Sequence, residues 1–183
     1  MAKRNDVTGC YAINSCKTTN NNKLAMAESE LLSIAMEEIV VNIGKVLVLK
    51  DEQRNAIDSL LSNKDVMAIL PTGFGKNLIF QVFAVARSKQ TGQSSTILVI
   101  CPLRSIVNDQ IIEAESFGLT VKSLDSHDSK SLLDDTPQLL FASAEAVLSD
   151  DTLMLFKDDN FCRQIEAVVV DESHTIETWT GRR

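Results

Sequence analysis

The sequence predicts an α/β protein in which helices cover both faces of a mostly parallel sheet. Short apolar runs alternate with stretches of helical periodicity, and this alternation favours crossover connections between parallel strands. Several of the runs are apolar at successive positions, as strands covered on both faces must be. Glycine and proline are sparse, at 7 and 3 of 183 residues, which favours long regular elements. We therefore expect one α/β domain.

Composition and charge exclude several classes of protein. The chain is 44% hydrophobic and 23% charged, which is close to the globular average and argues against a disordered chain. A net charge of −7 argues against binding to DNA or an anionic membrane mainly through bulk charge. The four cysteines form no CxxC pair, so we expect no zinc site. The sequence lacks a signal peptide and an apolar run of membrane-spanning length. We expect a soluble, intracellular protein without a membrane partner.

Taken in order, the elements begin with a region that we interpret as a disordered polar tail, residues 1–24. These residues lack periodicity and carry four basic groups against one acidic group, so a basic nucleic-acid-binding arm is the less favoured alternative. Residues 25–45 have apolar positions at three- and four-residue steps, which predicts an amphipathic helix. Asp51 is a candidate cap for a second helix, and residues 46–183 form the main domain. The strand candidates are residues 66–70, 96–101, 119–124, 138–142 and 167–170.

A glycine-rich turn follows the first strand candidate and leads into a helix. Residues 70–77 read LPTGFGKN, and the glycines allow backbone N–H groups to approach phosphate oxygens at a helix N-terminus. Lys76 would reach the β- and γ-phosphates as a mobile point charge. Asn77 stands where such loops usually have a Ser or Thr that binds Mg²⁺, and its amide oxygen is a less suitable ligand. The alternative is an accidental glycine-rich turn.

Two adjacent acids follow the last strand candidate. Asp171 and Glu172 come directly after an apolar strand, at the end of the sheet where α/β proteins bind ligands. Asp171 would hold Mg²⁺, and Glu172 would orient or deprotonate the attacking water. An ordinary solvated turn is the alternative, and the glycine-rich loop earlier in the chain favours the functional interpretation.

The segments LPTGFGKN, ICPLRSIVNDQI, LLFASAEAVL and VVVDESHTIETW occur in this order. Together they resemble the first RecA-like lobe of superfamily 2 helicases, and most of all the RecQ-like DNA helicases. The resemblance implies a RecA-like P-loop NTPase fold with ATP and Mg²⁺ as cofactors. It also implies 3′-to-5′ unwinding of DNA in the nucleus, with roles in DNA repair and recombination.

The resemblance also implies the site residues. Lys50 and Gln53 fall on the adenine-recognition motif, where the Gln53 amide would pair with adenine. The ATP-binding set is Lys50, Gln53, Thr72, Gly73, Phe74, Gly75, Lys76 and Asn77, and the catalytic residues are Lys76, Asp171 and Glu172. Asn77 and Asp171 would bind Mg²⁺.

Further residues fall on motifs that contact nucleic acid or couple hydrolysis to movement. Pro102, Leu103, Ser105 and Ser143 would contact the DNA backbone, with simple helix capping as the alternative for both segments. His174 completes a DExH box, and Trp179 falls at the start of an aromatic-rich loop. Both would couple ATP hydrolysis to the bound DNA.

The resemblance finally implies a second lobe in a longer chain, because arginine fingers from such a lobe speed phosphoryl transfer. It also implies a strand after the acidic pair that lies near the P-loop strand. We therefore expect a lobe that is incomplete at the C-terminus, leaves backbone groups unpaired at that place, and does not unwind DNA alone. Asn77 and Lys50 leave open a degenerate nucleotide-binding or interaction module. A fragment of a DExH RNA helicase is the remaining alternative.

Overall fold

The computed structural model describes residues 7–14, 28–91, 95–102, 104–125, 132 and 135–172. The strands are β1 (Val7–Asn14), β2 (Val66–Pro71), β3 (Thr96–Cys101), β4 (Val121–Ser123), β5 (Leu139–Ser143) and β6 (Ile165–Val170). The helices are α1 (Glu28–Ile43), α2 (Asp51–Leu61), α3 (Asn77–Thr91), α4 (Arg104–Ser116), α5 (Ala144–Val147), α6 (Asp150–Leu155) and α7 (Asp159–Gln164). All five strand candidates are present, and their ends differ from the expected ones by at most two residues.

The described strands form one sheet in the order β2-β1-β6-β3-β5-β4. Strands β6, β3, β5 and β4 pair in parallel, whereas β1 is antiparallel to both β2 and β6. Since β2 and β6 therefore point the same way, five strands share one direction. The expectation of a mostly parallel α/β sheet is confirmed.

Strand β1 corrects the expectation of a disordered tail over residues 1–24. It pairs with β2 from Val7 opposite Pro71 onward, and with β6 from Tyr11 opposite Val170 onward. The local signal for this strand is weak, because Gly9 and polar residues interrupt its apolar pattern and its partners lie far away in the sequence. Residues 15–24 lie outside the described residues.

The same strand fills the gap that we expected between the P-loop strand and the strand before the acids. An antiparallel neighbour satisfies backbone N–H and C=O groups as fully as a parallel one. Ala12 is 5% exposed and joins the core, while Ile13 is 42% exposed on the other face. The inner edges of β2 and β6 are thus paired through β1, in place of the unpaired groups that we expected.

Two groups of helices cover the sheet. Helices α1 to α4 pack on one face, where α3 contacts both α1 and α2 and residues 79–87 are buried without interruption. Helices α5 to α7 cover the opposite face over β3, β5 and β6. Helices therefore lie on both faces, as predicted. Among the described residues, no helix covers the second face over β1 and β2, where Ile13, Met67 and Ile69 are exposed.

The first two helices differ in detail from the sequence expectation. The helix expected over residues 25–45 is observed at Glu28–Ile43, and it ends at Gly44, whose φ is +66°. The cap position of α2 is Lys50, so Asp51 is the first helical residue rather than the cap. A carboxylate in the first turn still interacts favourably with the helix dipole.

A buried arginine ties the end of α3 to the end of α2. The Nη2 of Arg87 donates to the Leu60 carbonyl at 3.2 Å and to Asn63 Oδ1 at 2.7 Å. Its Nη1 donates to Gln90 Oε1 at 2.7 Å. Burial lowers the pKa of Arg87, and the charge of Glu166 opposes that change. The guanidinium nevertheless stays charged at neutral pH, so its fork of hydrogen bonds is a fixed part of the core.

No helix in the described ranges combines the length and apolar character needed to cross a membrane.

Candidate active site

The candidate site lies at the edge of the sheet where the five co-directional strands end. Strand β2 leads into the glycine-rich loop, and β6 leads directly to Asp171 and Glu172. The two segments line one cavity of about 520 Å³, whose other walls come from the end of α1 and from α4. This is the position in which open α/β sheets bind ligands.

The loop between β2 and α3 requires glycine at two positions. Gly73 has φ +77° and Gly75 has φ +85°, in the left-handed region that glycine adopts at no steric cost. A Cβ added at Gly75 would also lie 3.0 Å from Gln53 Nε2. The glycine spacing in the sequence therefore reflects a backbone conformation that presents the loop to the cavity.

Gln53 and Lys50 brace this loop. Gln53 is 2% exposed, and its Nε2 donates to the carbonyls of Phe74 at 3.0 Å and Gly75 at 2.9 Å. Its Oε1 accepts from the Lys50 backbone N–H at 2.9 Å. Lys50 Nζ donates to the Phe74 carbonyl and lies 3.8 Å from the centroid of the Phe74 ring. Both N–H groups of the Gln53 amide are thus used within the protein, so the predicted adenine contact would require them to exchange partners.

A backbone turn brings both acids to the cavity. The Asp171 N–H donates to the Ile100 carbonyl at 2.9 Å, which continues the β6–β3 ladder. Glu172 then adopts φ +49°, a left-handed conformation that costs a non-glycine residue about 1–2 kcal/mol. In a continuing strand, adjacent side chains would point to opposite faces. The turn instead lets Asp171 and Glu172 line the same cavity.

The structure brings the three predicted catalytic residues together. Lys76 Nζ lies 3.4 Å from Glu172 Oε1, with side chains that are 8% and 25% exposed. Asp171 is 3% exposed and lines the cavity with them. Because the phosphates of ATP are also anionic, they would compete with Glu172 for the Lys76 ammonium group.

Two side chains that line the cavity, Asp171 and Asn77, offer oxygen atoms, the type of ligand that Mg²⁺ binds. Asp171 offers a carboxylate, and Asn77, at the start of α3, offers an amide oxygen while its Nδ2 donates to Glu113 Oε2 at 3.4 Å. The described residues contain no group of three or more His, Cys, Asp or Glu that could hold a metal. Mg²⁺ commonly takes one or two protein ligands together with water and substrate phosphates. The two residues present fit that pattern.

Two residues of α4 that no sequence motif singles out also reach this site. Gln110 Nε2 donates to Asp171 Oδ2 at 2.9 Å. Glu113 Oε2 accepts from Asn77, and from Gln81 Nε2 at 3.2 Å. Gln110 and Glu113 are three residues apart and so share one helix face. That spacing of polar residues among apolar neighbours is the signal that could have identified them.

The predicted nucleic-acid contacts are placed unevenly. Ser143 is fully buried, and its hydroxyl donates to Asp125 Oδ1 at 2.7 Å. The Oγ atom of Ser143 also accepts from the Ala146 N–H at 3.2 Å. In this structure Ser143 therefore caps α5, which is the alternative given above. Pro102 follows β3, and Ser105 lies in the first turn of α4. The predicted residues Leu103, His174 and Trp179 lie outside the described residues.

A mostly parallel α/β sheet with a P-loop facing an acidic pair defines a P-loop NTPase. Residues 50–183 match the family model of the DEAD/DEAH box helicases. The chain therefore belongs to the DEAD/DEAH box helicase family, and it has the RecA-like fold of a helicase ATP-binding domain.

Similar proteins agree with this assignment. The chain is 29% identical to the ATP-dependent DNA helicase Q-like 5 of Arabidopsis thaliana over 87% of its own length and 18% of that protein. It is 31% identical to the ATP-dependent DNA helicase RecQ of Pasteurella multocida over 69% of the chain and 20% of that protein. It is 25% identical to the ATP-dependent DNA helicase RecQ of Haemophilus influenzae over 84% of the chain and 25% of that protein. The chain thus spans a quarter or less of these relatives, and the resemblance to RecQ-like helicases is confirmed.

Proposed function

We propose that this chain provides the ATP-binding lobe of a RecQ-type, 3′-to-5′ ATP-dependent DNA helicase, which binds Mg·ATP and contacts a DNA strand. The observation that carries the proposal is the 3.4 Å contact between Lys76 of the glycine-rich loop and Glu172 of the acidic pair, in a shared cavity. Relatives whose names read ATP-dependent DNA helicase support the same activity.

The proposed mechanism follows from charge and position. The phosphates of ATP bind the backbone N–H groups of the loop and draw Lys76 away from Glu172. The freed carboxylate of Glu172 accepts a proton from a water molecule. The water oxygen forms a bond to the γ-phosphorus, and the bond from that phosphorus to the β–γ bridging oxygen breaks. Asp171 and Asn77 would hold Mg²⁺, which neutralises phosphate charge when it is bound.

The proposed DNA contact lies at the N-terminal end of α4. Pro102 precedes this helix and Ser105 lies in its first turn, where backbone N–H groups can bind a phosphate without a basic side chain. Movement along DNA would require a second lobe. We propose that the complete helicase acts in the nucleus and that it serves DNA repair or recombination.

The test of ATP binding removes the Lys76 charge. We expect Lys76→Ala to lose measurable ATP binding in calorimetry, because the loop then lacks its only side-chain cation for the phosphates. Lys89→Ala is the matched control, since Lys89 lies in the last turn of α3, the helix that follows Lys76, and is 41% exposed beside Glu38. An unchanged ATP affinity in Lys76→Ala would show that the phosphate-loop assignment is wrong.

The tether between Asn77 and Glu113 favours a second candidate function, a nucleotide-binding module that does not hydrolyse ATP. That module would bind ATP through the same loop and show no hydrolysis even with DNA and a second lobe present. An RNA helicase is distinguished by comparing ATPase stimulation by DNA and RNA strands of one sequence.

A further inference from the structure

A buried amide connects helix α4 to the proposed Mg²⁺-binding carboxylate. Gln110 is 5% exposed, and its Nε2 donates to Asp171 Oδ2 at 2.9 Å. The other oxygen of Asp171, Oδ1, accepts from the Glu172 backbone N–H at 2.9 Å. Each carboxylate oxygen therefore has a nitrogen donor on the protein. This pair of hydrogen bonds fixes the direction in which the remaining lone pairs of Asp171 face.

The orientation of the Gln110 amide is itself fixed. An ionised carboxylate only accepts hydrogen bonds, so the amide nitrogen must face Asp171 and the amide oxygen must face away from it. That oxygen accepts from the Cys101 thiol at 3.4 Å. Cys101 ends β3 and is fully buried. A chain of contacts thus runs from the end of β3 through α4 to the residue after β6.

We propose that Gln110 is a positioning residue that holds Asp171 in its Mg²⁺-binding orientation, with Cys101 fixing the Gln110 amide. This inference rests on the proposed function, since it assumes that Asp171 binds the metal of Mg·ATP. Groups that hold metal ligands through hydrogen bonds commonly change metal affinity by about 10- to 100-fold when they are removed. No sequence motif assigns a role to Gln110 or to Cys101.

The decisive experiment compares ATP affinity with Mg²⁺ and with EDTA. Gln110→Met keeps the length and burial of the side chain but removes both hydrogen bonds. We expect it to weaken ATP binding about tenfold or more in Mg²⁺ and to leave binding in EDTA within about twofold, because the loop and Lys76 are untouched. Thr96→Val is the matched control, since Thr96 is also buried and its hydroxyl donates to the Pro137 carbonyl at 2.7 Å, at the other end of β3 from Cys101. It should not change the ratio of the two affinities.

A second pair of variants tests the orientation step. Cys101→Ser keeps a hydrogen-bond donor for Gln110 and should retain the Mg²⁺ dependence of the parent. Cys101→Val removes the donor at similar volume and should weaken binding in Mg²⁺ in the same direction as Gln110→Met. If Gln110→Met proves to be unfolded by circular dichroism, equal Mg²⁺ dependence in the two Cys101 variants would still overturn the proposal.

The outcomes separate the inference from the function on which it rests. A parent protein that binds no ATP would overturn the proposed function and the positioning role together. The positioning role alone would be overturned if the parent binds Mg·ATP and a folded Gln110→Met variant shows the same ratio of ATP affinity in Mg²⁺ to ATP affinity in EDTA as the parent. Loss of affinity to the same extent in Mg²⁺ and in EDTA would also overturn it, since that result indicates general damage to the site.

Discussion

Asn77 stands at the first position of α3, where its amide reaches both the cavity and Glu113. A serine hydroxyl would be one heavy atom closer to the backbone and would leave room for the tight octahedral geometry of Mg²⁺. We expect Asn77→Ser to tighten ATP binding in Mg²⁺ by about tenfold, the lower end of effects on metal sites, and to leave binding in EDTA unchanged. Calorimetry under the two conditions measures this.

The control for that prediction is Asn55→Ser, which makes the same change at an exposed position of α2. Equal Mg²⁺ dependence in the parent and in Asn77→Ser would mean that the asparagine is no handicap for the metal.

Arg87 provides a residue-scale test of stability. Its planar guanidinium bonds three acceptors at the α2–α3 junction, and an ammonium group cannot reproduce that fork. We expect Arg87→Lys to lower the free energy of unfolding by about 1–3 kcal/mol, because the buried Leu60 carbonyl loses its partner. Urea denaturation measures the change, and Arg54→Lys on the exposed face of α2 should shift it by less than about 0.5 kcal/mol. If Arg87→Lys and Arg54→Lys changed the free energy of unfolding equally, the proposed stabilising role of Arg87 at the α2–α3 junction would be wrong.

Local motifs predicted some site residues and could not predict others. The loop glycines and Lys76 form one contiguous pattern whose chemistry is readable from spacing. The roles of Gln53 and Gln110 depend on carbonyls and carboxylates that are distant in the sequence. Ser143 shows the same limit, because its hydroxyl donates to Asp125, 18 residues earlier, and accepts from the Ala146 N–H as a buried helix cap.

At the scale of elements, two single substitutions on opposite faces of β1 test whether this strand belongs to the sheet. Ala12 lies in the core of the sheet while Ile13 is 42% exposed on the opposite face. We expect Ala12→Asp to lower the free energy of unfolding by about 3 kcal/mol or more, because it buries an unpaired charge. Ile13→Lys should change it by about 0.5 kcal/mol or less. Urea denaturation of both variants decides, and a tolerated Ala12→Asp would show that β1 does not form part of the sheet.

The elements that the sequence predicted are those with a strong local pattern. β3 and β5 are apolar at nearly every position because both their faces are covered. β1 carries glycine and polar residues within eight positions, and only its pairing with two distant strands makes it a strand. The expected N-terminal boundary of the domain, residue 46, therefore leaves out β1, because long-range pairing cannot be read from a local pattern.

The charge of the whole molecule sets an expectation for DNA. The 25 acidic residues outnumber the 18 basic ones, and the resulting net charge of −7 opposes association with DNA phosphates. We therefore expect binding to an oligonucleotide to be weak at physiological salt. We also expect purified residues 1–183 to show no ATP-dependent unwinding in a strand-displacement assay, since unwinding would need closure of two lobes around ATP. Displacement that requires ATP and is lost in Lys76→Ala would contradict this expectation.

The placement of β1 also determines when the sheet can close during synthesis. Tyr11 pairs with Val170, more than 150 residues later in the chain. At about 5–20 residues per second, the ribosome needs roughly 8–30 seconds to make the intervening chain. Throughout that time β1 has no access to β6, and the edge of β1 that pairs with β6 in the finished sheet stays unpaired. Such distant pairing is typical of slow folding and of segments that need protection from aggregation as they emerge.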